Sequence, residues 1–414
     1  MRHRLVTAAG ETGRAWMRVY LDHAATTPLR PEARDAWLAA HEVLGNPSSI
    51  HGAGQQARRL LEDARESLAA VLGCQPIEVV FTSGGTEAAN LALKGLWWSR
   101  AEGEDAVVLP DGEHHATLDV VQWLASAEGA TVRPVALDEG GRIVPEVFAA
   151  ALPGAALATA LVANNEVGTI QDAAGLASAA AAAGVPLHLD AVSALGQIPV
   201  DFAAWRGAGS AASGLVTMSV SAHKVGGPVG VGAAVVSRHA RVTPLVHGGG
   251  QQRSLRAGTQ DVAGAAAFAA AATVAEIERE AESERLRGLR DRLIAGIRAG
   301  VPAARLLGDP TDRLPGNAHV LFPDAAGETL LFLLDMHGFA VSTGSACQAG
   351  VAEPSHVVLA LGLDERAARS VLRFTLGRTS TAEDVDALLA RLPEVYARAV
   401  ASGAPSGARS DRAS

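Results

Sequence analysis

The 414-residue chain contains very little cysteine and very little lysine. Its two cysteines, Cys74 and Cys347, are too few for a disulfide framework or for a zinc site built from cysteine alone. Only two of its 35 basic residues are lysines, Lys94 and Lys224, so the other 33 are arginines. Arginine stays protonated, whereas lysine can lose its proton and form a Schiff base. A lysine retained in such a chain is therefore a candidate for chemistry.

The sequence also lacks a long apolar run. The longest apolar stretch, 262–275, is mostly alanine and is too short to cross a bilayer. No apolar segment typical of a signal peptide follows the basic residues Arg2 and Arg4. The net charge of −9 argues against a protein that binds nucleic acid or a membrane surface. With a hydrophobic content of 48%, the chain is predicted to be a soluble cytoplasmic enzyme.

The first two thirds of the chain alternate short apolar runs with helical patterns. This alternation predicts an α/β fold with a mostly parallel central sheet and helices on both faces. Strands are predicted at 78–82, 106–109, 131–135, 156–162, 186–190, 215–220 and 231–236, and helices at 86–100, 115–127, 144–151 and 173–183. Ligands bind such sheets at the carboxyl ends of the strands.

After residue 257 the pattern changes. It predicts a long helix at 261–299, strands at 318–322, 340–342 and 372–376, and helices at 328–337 and 382–401. We therefore predict a large domain at 31–260, and a smaller α+β domain made of 17–30 and 261–401. Residues 1–16 are expected to be a dispensable extension, with Met17 an alternative start to Met1. Residues 402–414 are expected to be a disordered tail.

Three motifs follow predicted strands. The first, Thr82-Ser83-Gly84-Gly85-Thr86-Glu87, either binds a phosphate at a helix start or is a glycine-rich turn capped by Thr86. Asp190 either pairs with a structural arginine or faces a cationic ring nitrogen. Lys224 leaves the next strand among small residues and is a better Schiff-base candidate than Lys94, which lies near a helix end.

Histidine, cysteine and arginine supply further candidates. His114 and His115 are adjacent and point apart on a helix start, so they predict no metal site. His114 is either structural or stacks on a cofactor ring. Cys347 lies among small residues and is either merely tolerated or a nucleophile. Arg373 interrupts an apolar strand and needs a carboxylate or phosphate partner, such as a substrate carboxylate.

Together these motifs resemble the cysteine desulfurases of the NifS/IscS type, in the aminotransferase class V group of fold-type I pyridoxal-phosphate (PLP) enzymes. The resemblance extends from about residue 19 to residue 401. It rests on the motifs YLDHAATTP at 20–28, GNPSS at 45–49, SGGTE at 83–87, NNEVG at 164–168, SAHK at 221–224, RAGT at 256–259, SAC at 345–347 and RFTLGR at 373–378.

The resemblance implies roles in binding the cofactor, pyridoxal 5'-phosphate. Lys224 would hold PLP covalently, Asp190 would keep its ring nitrogen protonated, and His114 would stack on the ring. The remaining implied cofactor-binding residues are Gly85, Thr86, Asn165, Ser193, Ser221, His223 and Thr259. Of these, Thr259 would reach in from the other subunit of a homodimer.

The resemblance also implies the reaction. Asn165 and Arg373 would bind the carboxylate of L-cysteine. Cys347 would take its sulfur, leaving L-alanine and a persulfide for a protein acceptor. A cyst(e)ine or selenocysteine lyase that needs no persulfide, and a non-catalytic scaffold, are the alternatives. Iron–sulfur cluster assembly, tRNA thiolation, DNA phosphorothioation and a biosynthetic sulfur carrier all stay open as uses of the sulfur.

Two positions depart from the family pattern. Ser193 stands where the family usually has glutamine, which contacts the phenolic oxygen of PLP. Ala222 stands where the family has glycine. The first change affects the expected tuning of the cofactor and leaves the expected reaction class unchanged.

Overall fold

The computed structural model describes residues 19–207, 212–344, 347–348 and 351–403, with only the backbone described at 347–348, 351–352 and 403. The predicted extension at 1–16 lies outside these residues, as does the predicted tail from residue 404 onward. The strands are β1 (Val19–Tyr20), β2 (Val79–Thr82), β3 (Ala106–Pro110), β4 (Thr131–Val135), β5 (Leu157–Leu161), β6 (Pro186–Asp190), β7 (Gly214–Ser221), β8 (Gly232–Val236), β9 (Arg305–Leu307), β10 (Asn317–Leu321), β11 (Phe339–Ala340), β12 (Cys347–Gln348), β13 (Val351–Ala352) and β14 (Val371–Thr375).

The helices fill the intervals between the strands. They are α1 (Pro31–His41), α2 (Gly52–Val71), α3 (Gly85–Trp98), α4 (His115–Glu128), α5 (Pro145–Ala151), α6 (Ala173–Ala183), α7 (Phe202–Arg206), α8 (Val262–Gly300), α9 (Gly327–Met336), α10 (His356–Ala360), α11 (Glu365–Ala368) and α12 (Ala382–Gly403). Short 3-10 turns occur at Pro76–Glu78, Ala222–Lys224 and Gln252–Ser254. Among the described residues, none of these helices is long and apolar enough to cross a membrane.

A seven-stranded sheet forms the centre of the larger part of the chain. Its strand order is β2-β8-β7-β6-β5-β3-β4, and β8 is antiparallel to both of its neighbours while the other pairs are parallel. Alternate residues point to opposite faces of each strand, so Leu187 and Leu189 belong to one apolar cluster, which includes α2, α6 and α8. Val107 and Leu157 belong to another, which includes α3 and α4. The predicted mostly parallel sheet with helices on both faces is confirmed.

A second core surrounds smaller sheets. The antiparallel strands β9, β10 and β14 form one of these, and β1 pairs with β11 in another. The core includes Leu21, Phe322 and Phe374, together with residues from the second half of α8, such as Leu293. The first half of α8 packs on the larger core. We propose that the two cores correspond to the predicted large and small domains.

Candidate active site

A cleft of about 430 Å³ contains ten of the residues that the sequence analysis selects. They are Gly85, Thr86, His114, Asn165, Asp190, Ser193, Ser221, His223, Lys224 and Arg373. Asp190 ends β6 and Ser221 ends β7, so the cleft lies at the carboxyl ends of parallel strands. The structure therefore brings together residues that are up to 288 positions apart in the sequence.

The start of α3 forms one wall of the cleft. A Cβ atom added to Gly85 would lie 2.7 Å from Cγ2 of Val192, so a larger residue would crowd this wall. The N–H of Ser83 donates to Glu87 at 2.7 Å, and Glu87 pairs with Arg256 at 2.9 Å, which fixes the turn before the helix. The unpaired N–H groups at the start of a 14-residue helix attract an anion such as phosphate.

Asp190 is a buried carboxylate in the cleft. Its Oδ1 accepts a hydrogen bond from the N–H of Val192 at 2.8 Å. Burial raises the pKa of Asp190 to about 6, although hydrogen bonds from Val192 and Ser219 and the charge of Lys224 oppose this rise. A buried carboxylate is stabilised by a nearby cation, so this position suits a positively charged ligand atom.

A chain of buried polar side chains lies behind Asp190. Ser219 hydrogen-bonds to Asp190, and its Oγ lies 3.4 Å from Nε2 of His188. The Nδ1 atom of His188 lies 3.0 Å from Oγ1 of Thr217. Burial lowers the pKa of His188 to about 3, so its ring is neutral. This network was not predicted from the sequence. Polar residues alternate with apolar ones in both β6 and β7, and this alternation is the signal that could have revealed a shared polar face.

Lys224 lies in the 3-10 turn that follows β7. Its Nζ donates to the carbonyl oxygens of Ala24 and Ala25, the latter at 3.0 Å. Burial lowers the pKa of Lys224 to about 8, and the charge of Arg373 acts in the same direction. A substantial fraction of this amine is neutral near pH 7.5, as a nucleophile requires.

Arg373 projects from β14 and is 5% exposed. Its Nη2 donates to Oδ1 of Asp22 at 2.9 Å, and its Nη1 donates to the carbonyl oxygen of Asn165 at 3.0 Å. Among the described residues, its Nε has no hydrogen-bond partner. Asp22 also lines the cleft, and the sequence analysis gave it no role. Its partner Arg373 is 351 positions away, so no local pattern could reveal the pair.

His114 stands at the start of α4. Its Nδ1 accepts a hydrogen bond from the N–H of Ala116 at 3.0 Å, so in the neutral ring Nε2 carries the proton. Desolvation in the cleft, followed by the charge of Lys224, holds the pKa of His114 below its ordinary value. The preceding Glu113 is fully buried, and burial raises its pKa to about 8. His114 is therefore a neutral ring that can donate from Nε2.

Thr259 and Cys347 are predicted site residues that the described cleft does not include, for different reasons. Thr259 is exposed on the segment before α8 and does not line the cleft. The backbone of Cys347 lies in a hairpin formed by β12 and β13, and its side chain lies outside the described part of the structure. The other cysteine, Cys74, is partly buried, and burial raises the pKa of its thiol to about 12. Cys74 is thus a poor nucleophile.

Comparison with known proteins identifies the family. The aminotransferase class-V profile matches residues 19–388. The chain belongs to this family. It is 48% identical over 387 residues to the IscS-like cysteine desulfurase of Mycobacterium tuberculosis, which covers 92% of this chain and 96% of the relative. Within aminotransferase class V, the chain therefore belongs to the NifS/IscS group of cysteine desulfurases.

Solved structures agree with this assignment. A NifS-like protein superposes with a TM-score of 0.84 at 33% identity, over 92% of this chain and all of that chain. A structure described as SspA in complex with cysteine has a TM-score of 0.75 at 29% identity, over 87% of this chain and 99% of its own. The predicted fold and family are confirmed.

Proposed function

We propose that this protein is a PLP-dependent cysteine desulfurase that converts L-cysteine to L-alanine and leaves a persulfide on Cys347. The observation that carries the proposal is the meeting of Lys224, Asp190 and Arg373 in one cleft, in a chain of the NifS/IscS group. These three residues supply an amine, a buried carboxylate and a guanidinium group. The amine can react with the aldehyde of PLP, the buried carboxylate suits its protonated ring nitrogen, and the guanidinium suits the carboxylate of an amino-acid substrate.

The residues of the cleft fit PLP. Thr86, Ser221 and His223 line the cleft with the start of α3 and suit its phosphate. A protonated pyridine nitrogen would compensate the buried charge of Asp190. The partly neutral amine of Lys224 suits attachment to its aldehyde. When bound, PLP would supply an electron sink for the substrate carbons.

Substrate binding and proton transfer follow from the same geometry. Arg373 would donate to the carboxylate of L-cysteine, and Asn165, whose carbonyl oxygen accepts from Arg373, lies beside it. The amine of Lys224, whose pKa burial lowers to about 8, would be suited to take the proton from Cα of the substrate. His114 would donate the proton on its Nε2 beside the reacting groups.

The sulfur transfer is balanced without an outside oxidant. The thiolate of Cys347 would attack the sulfur of L-cysteine, so that an S–S bond forms as the C–S bond breaks. The electron pair of the C–S bond stays on Cβ, which takes up a proton. The products are L-alanine and the persulfide of Cys347, whose outer sulfur can pass to a thiol of an acceptor protein. Iron–sulfur cluster assembly is the use that the name of the IscS-like relative favours.

We also propose that the protein is a homodimer. Thr259 is exposed and follows Arg256, which is held to α3 through Glu87. In a dimer, Thr259 would reach the phosphate site of the partner subunit. The predicted cytoplasmic location stays a proposal.

Replacing each cysteine in turn tests the reaction. Cys347→Ser is expected to bind cysteine and to lower alanine release by about two or more orders of magnitude. The matched control is Cys74→Ser, which is expected to release alanine at the wild-type rate. Equal alanine release by Cys347→Ser and wild type would instead identify a lyase. If the wild type with PLP releases no alanine from cysteine, the proposed function is wrong.

A further inference from the structure

Glu166 is a buried carboxylate next to the cleft, and the reaction above assigns it no role. It is 2% exposed and follows Asn165 directly. Its N–H donates to Oδ1 of Asn164 at 2.9 Å, and its carbonyl oxygen accepts from Nδ2 of Asn317 at 3.0 Å. Both backbone polar groups are therefore fixed, which restricts where the carboxylate can lie.

The carboxylate of Glu166 binds Ser355, which lies three residues after the end of β13. Oγ of Ser355 donates to Oε2 of Glu166 at 2.5 Å, in a buried hydrogen bond between residues 189 positions apart. The same Oγ accepts from the N–H of Val358 at 3.1 Å and so begins α10. A short hydrogen bond to a carboxylate is among the stronger polar contacts in proteins. The C-terminal end of the hairpin segment is thus attached to Glu166.

The residue before the hairpin lies against the same oxygen. Gly344 has a φ of +90°, and a Cβ added there would lie 3.0 Å from Oε2 of Glu166 and 2.7 Å from Cε1 of His319. Glycine is required for both the conformation and the close approach. Two residues earlier, the backbone of Ser342 pairs with that of Arg373. The N-terminal end of the segment therefore lies close to Glu166 and is joined to the proposed substrate-binding arginine through the backbone of Ser342.

We propose that Glu166 is a positioning residue for Cys347. Its carboxylate binds Ser355 and lies against Gly344, so both ends of the segment that carries Cys347 lie at the loop after β5, which carries Asn165. These contacts would limit how far that segment can move from the substrate site at Arg373. A displacement of about 1 Å in such a geometry can cost about 100-fold in rate. The inference rests on the proposed role of Cys347 in sulfur transfer.

The test separates positioning from simple stability. The variants are Ser355→Ala, Glu166→Ala and Glu166→Gln, and the matched control is Ser237→Ala. Ser237 is a fully buried serine whose Oγ has no hydrogen-bond partner among the described residues. For each PLP-loaded variant, three quantities are measured. They are the PLP content, the cysteine concentration that half-saturates the absorbance change, and the rate of alanine release in a single turnover.

Ser355→Ala and Glu166→Ala are expected to lower alanine release by about 10- to 100-fold, while PLP content and cysteine binding stay within about twofold of wild type. Glu166→Gln keeps an oxygen that can accept from Ser355, so it is expected to retain more activity than Glu166→Ala. The double variant Glu166→Ala/Ser355→Ala is expected to lose less than the sum of the two single losses, because each substitution removes the hydrogen bond between Glu166 and Ser355.

Three results would overturn the inference while leaving the proposed function intact. The first is alanine release by Ser355→Ala at the rate of Ser237→Ala. The second is a decrease in PLP content or in cysteine binding, in Ser355→Ala or Glu166→Ala, that is as large as the decrease in alanine release. The third is a double variant whose loss is the sum of the single losses. A wild-type protein that releases no alanine would instead refute the proposed function itself.

Discussion

The lowered pKa of Lys224 gives a prediction that can be checked before any turnover is measured. An ordinary lysine has a pKa of 10.5, whereas that of Lys224 is about 8. At pH 7.5 the neutral fraction is then about a quarter, against about 0.1% for an ordinary lysine. The neutral fraction of Lys224 is therefore about 200-fold larger than that of an ordinary lysine, and in the apoprotein Lys224 is expected to become acylated at a lower pH than an ordinary lysine does.

Two substitutions that remove opposite charges should move this pKa in opposite directions. Arg373 lowers the pKa of Lys224 and Asp22 raises it. Arg373→Gln is therefore expected to raise the pKa by roughly one unit, and Asp22→Asn to lower it by a similar amount. Asp386→Asn is the control, because its ion pair with Arg292 is exposed.

Competitive acetylation of the apoprotein measures the shift. Acetic anhydride is added at a series of pH values, and mass spectrometry follows the peptide that carries Lys224. The peptide that carries Lys94, the only other lysine, corrects for reagent decay. A labelling midpoint near 10.5 for Lys224 would contradict the reasoning. So would shifts of the same sign in Arg373→Gln and Asp22→Asn, because opposite charges cannot act alike through space.

Three further predictions concern the bound cofactor. Ser193→Gln should lower the spectrophotometric pKa of bound PLP by about one to two units, since a glutamine amide can donate to its phenolic oxygen; an unchanged or raised pKa would indicate that a water or another side chain already donates. Ser219→Ala removes a donor to Asp190 and should increase PLP loss on dialysis by about tenfold; retention equal to wild type would show that the network contributes nothing. Thr259→Ala should release PLP faster while sedimentation still gives about twice 42.3 kDa; a monomeric wild type that binds PLP tightly would contradict the dimer.

The sequence predicted the strands of the central sheet well, and all of them except the largely exposed edge strand β4 are buried on both faces. Continuous apolar runs mark β3 and β8, and the predicted strand 186–190 coincides with β6, in which polar and apolar residues alternate. Most other boundaries moved by one or two residues. The long helix α8 was also predicted within one residue at each end. Its start is marked by Asp261, whose side chain accepts from the N–H of Gly264 and caps the helix.

The sequence did not predict α1 and α2. In α2, polar and charged residues such as Arg58 and Glu62 separate the seven residues that become buried. Apolar residues nevertheless recur at helical spacing, as at Leu61, Ala64 and Leu68, so the sequence does carry an amphipathic pattern, which was overlooked. The pattern indicates which face of α2 is buried, but it does not indicate that α8 packs with it in the same core.

Only part of the candidate site could be predicted from the sequence. Residues that lie within a recognisable motif at a strand end, such as Asp190 and Lys224, could be selected from the sequence. Asp22 and Glu166 lie inside quoted motifs too, yet the sequence analysis assigned them nothing. Their partners, Arg373 and Ser355, come from the far end of the chain. Such contacts form only when the tertiary fold brings distant segments together, and no motif within either segment indicates which residues will pair.

Helix α8 has a consequence for how the protein unfolds. At 1.5 Å per residue, its 39 residues form a rod of roughly 58 Å. Phe268 and its neighbours belong to the larger core, whereas Leu293 and Ile297 belong to the smaller one. Loss of either core removes one half of the helix from its packing partners and frays the other half. A cavity made by Leu293→Ala is therefore expected to weaken the larger core as well, and calorimetry is expected to show one cooperative transition for the two cores.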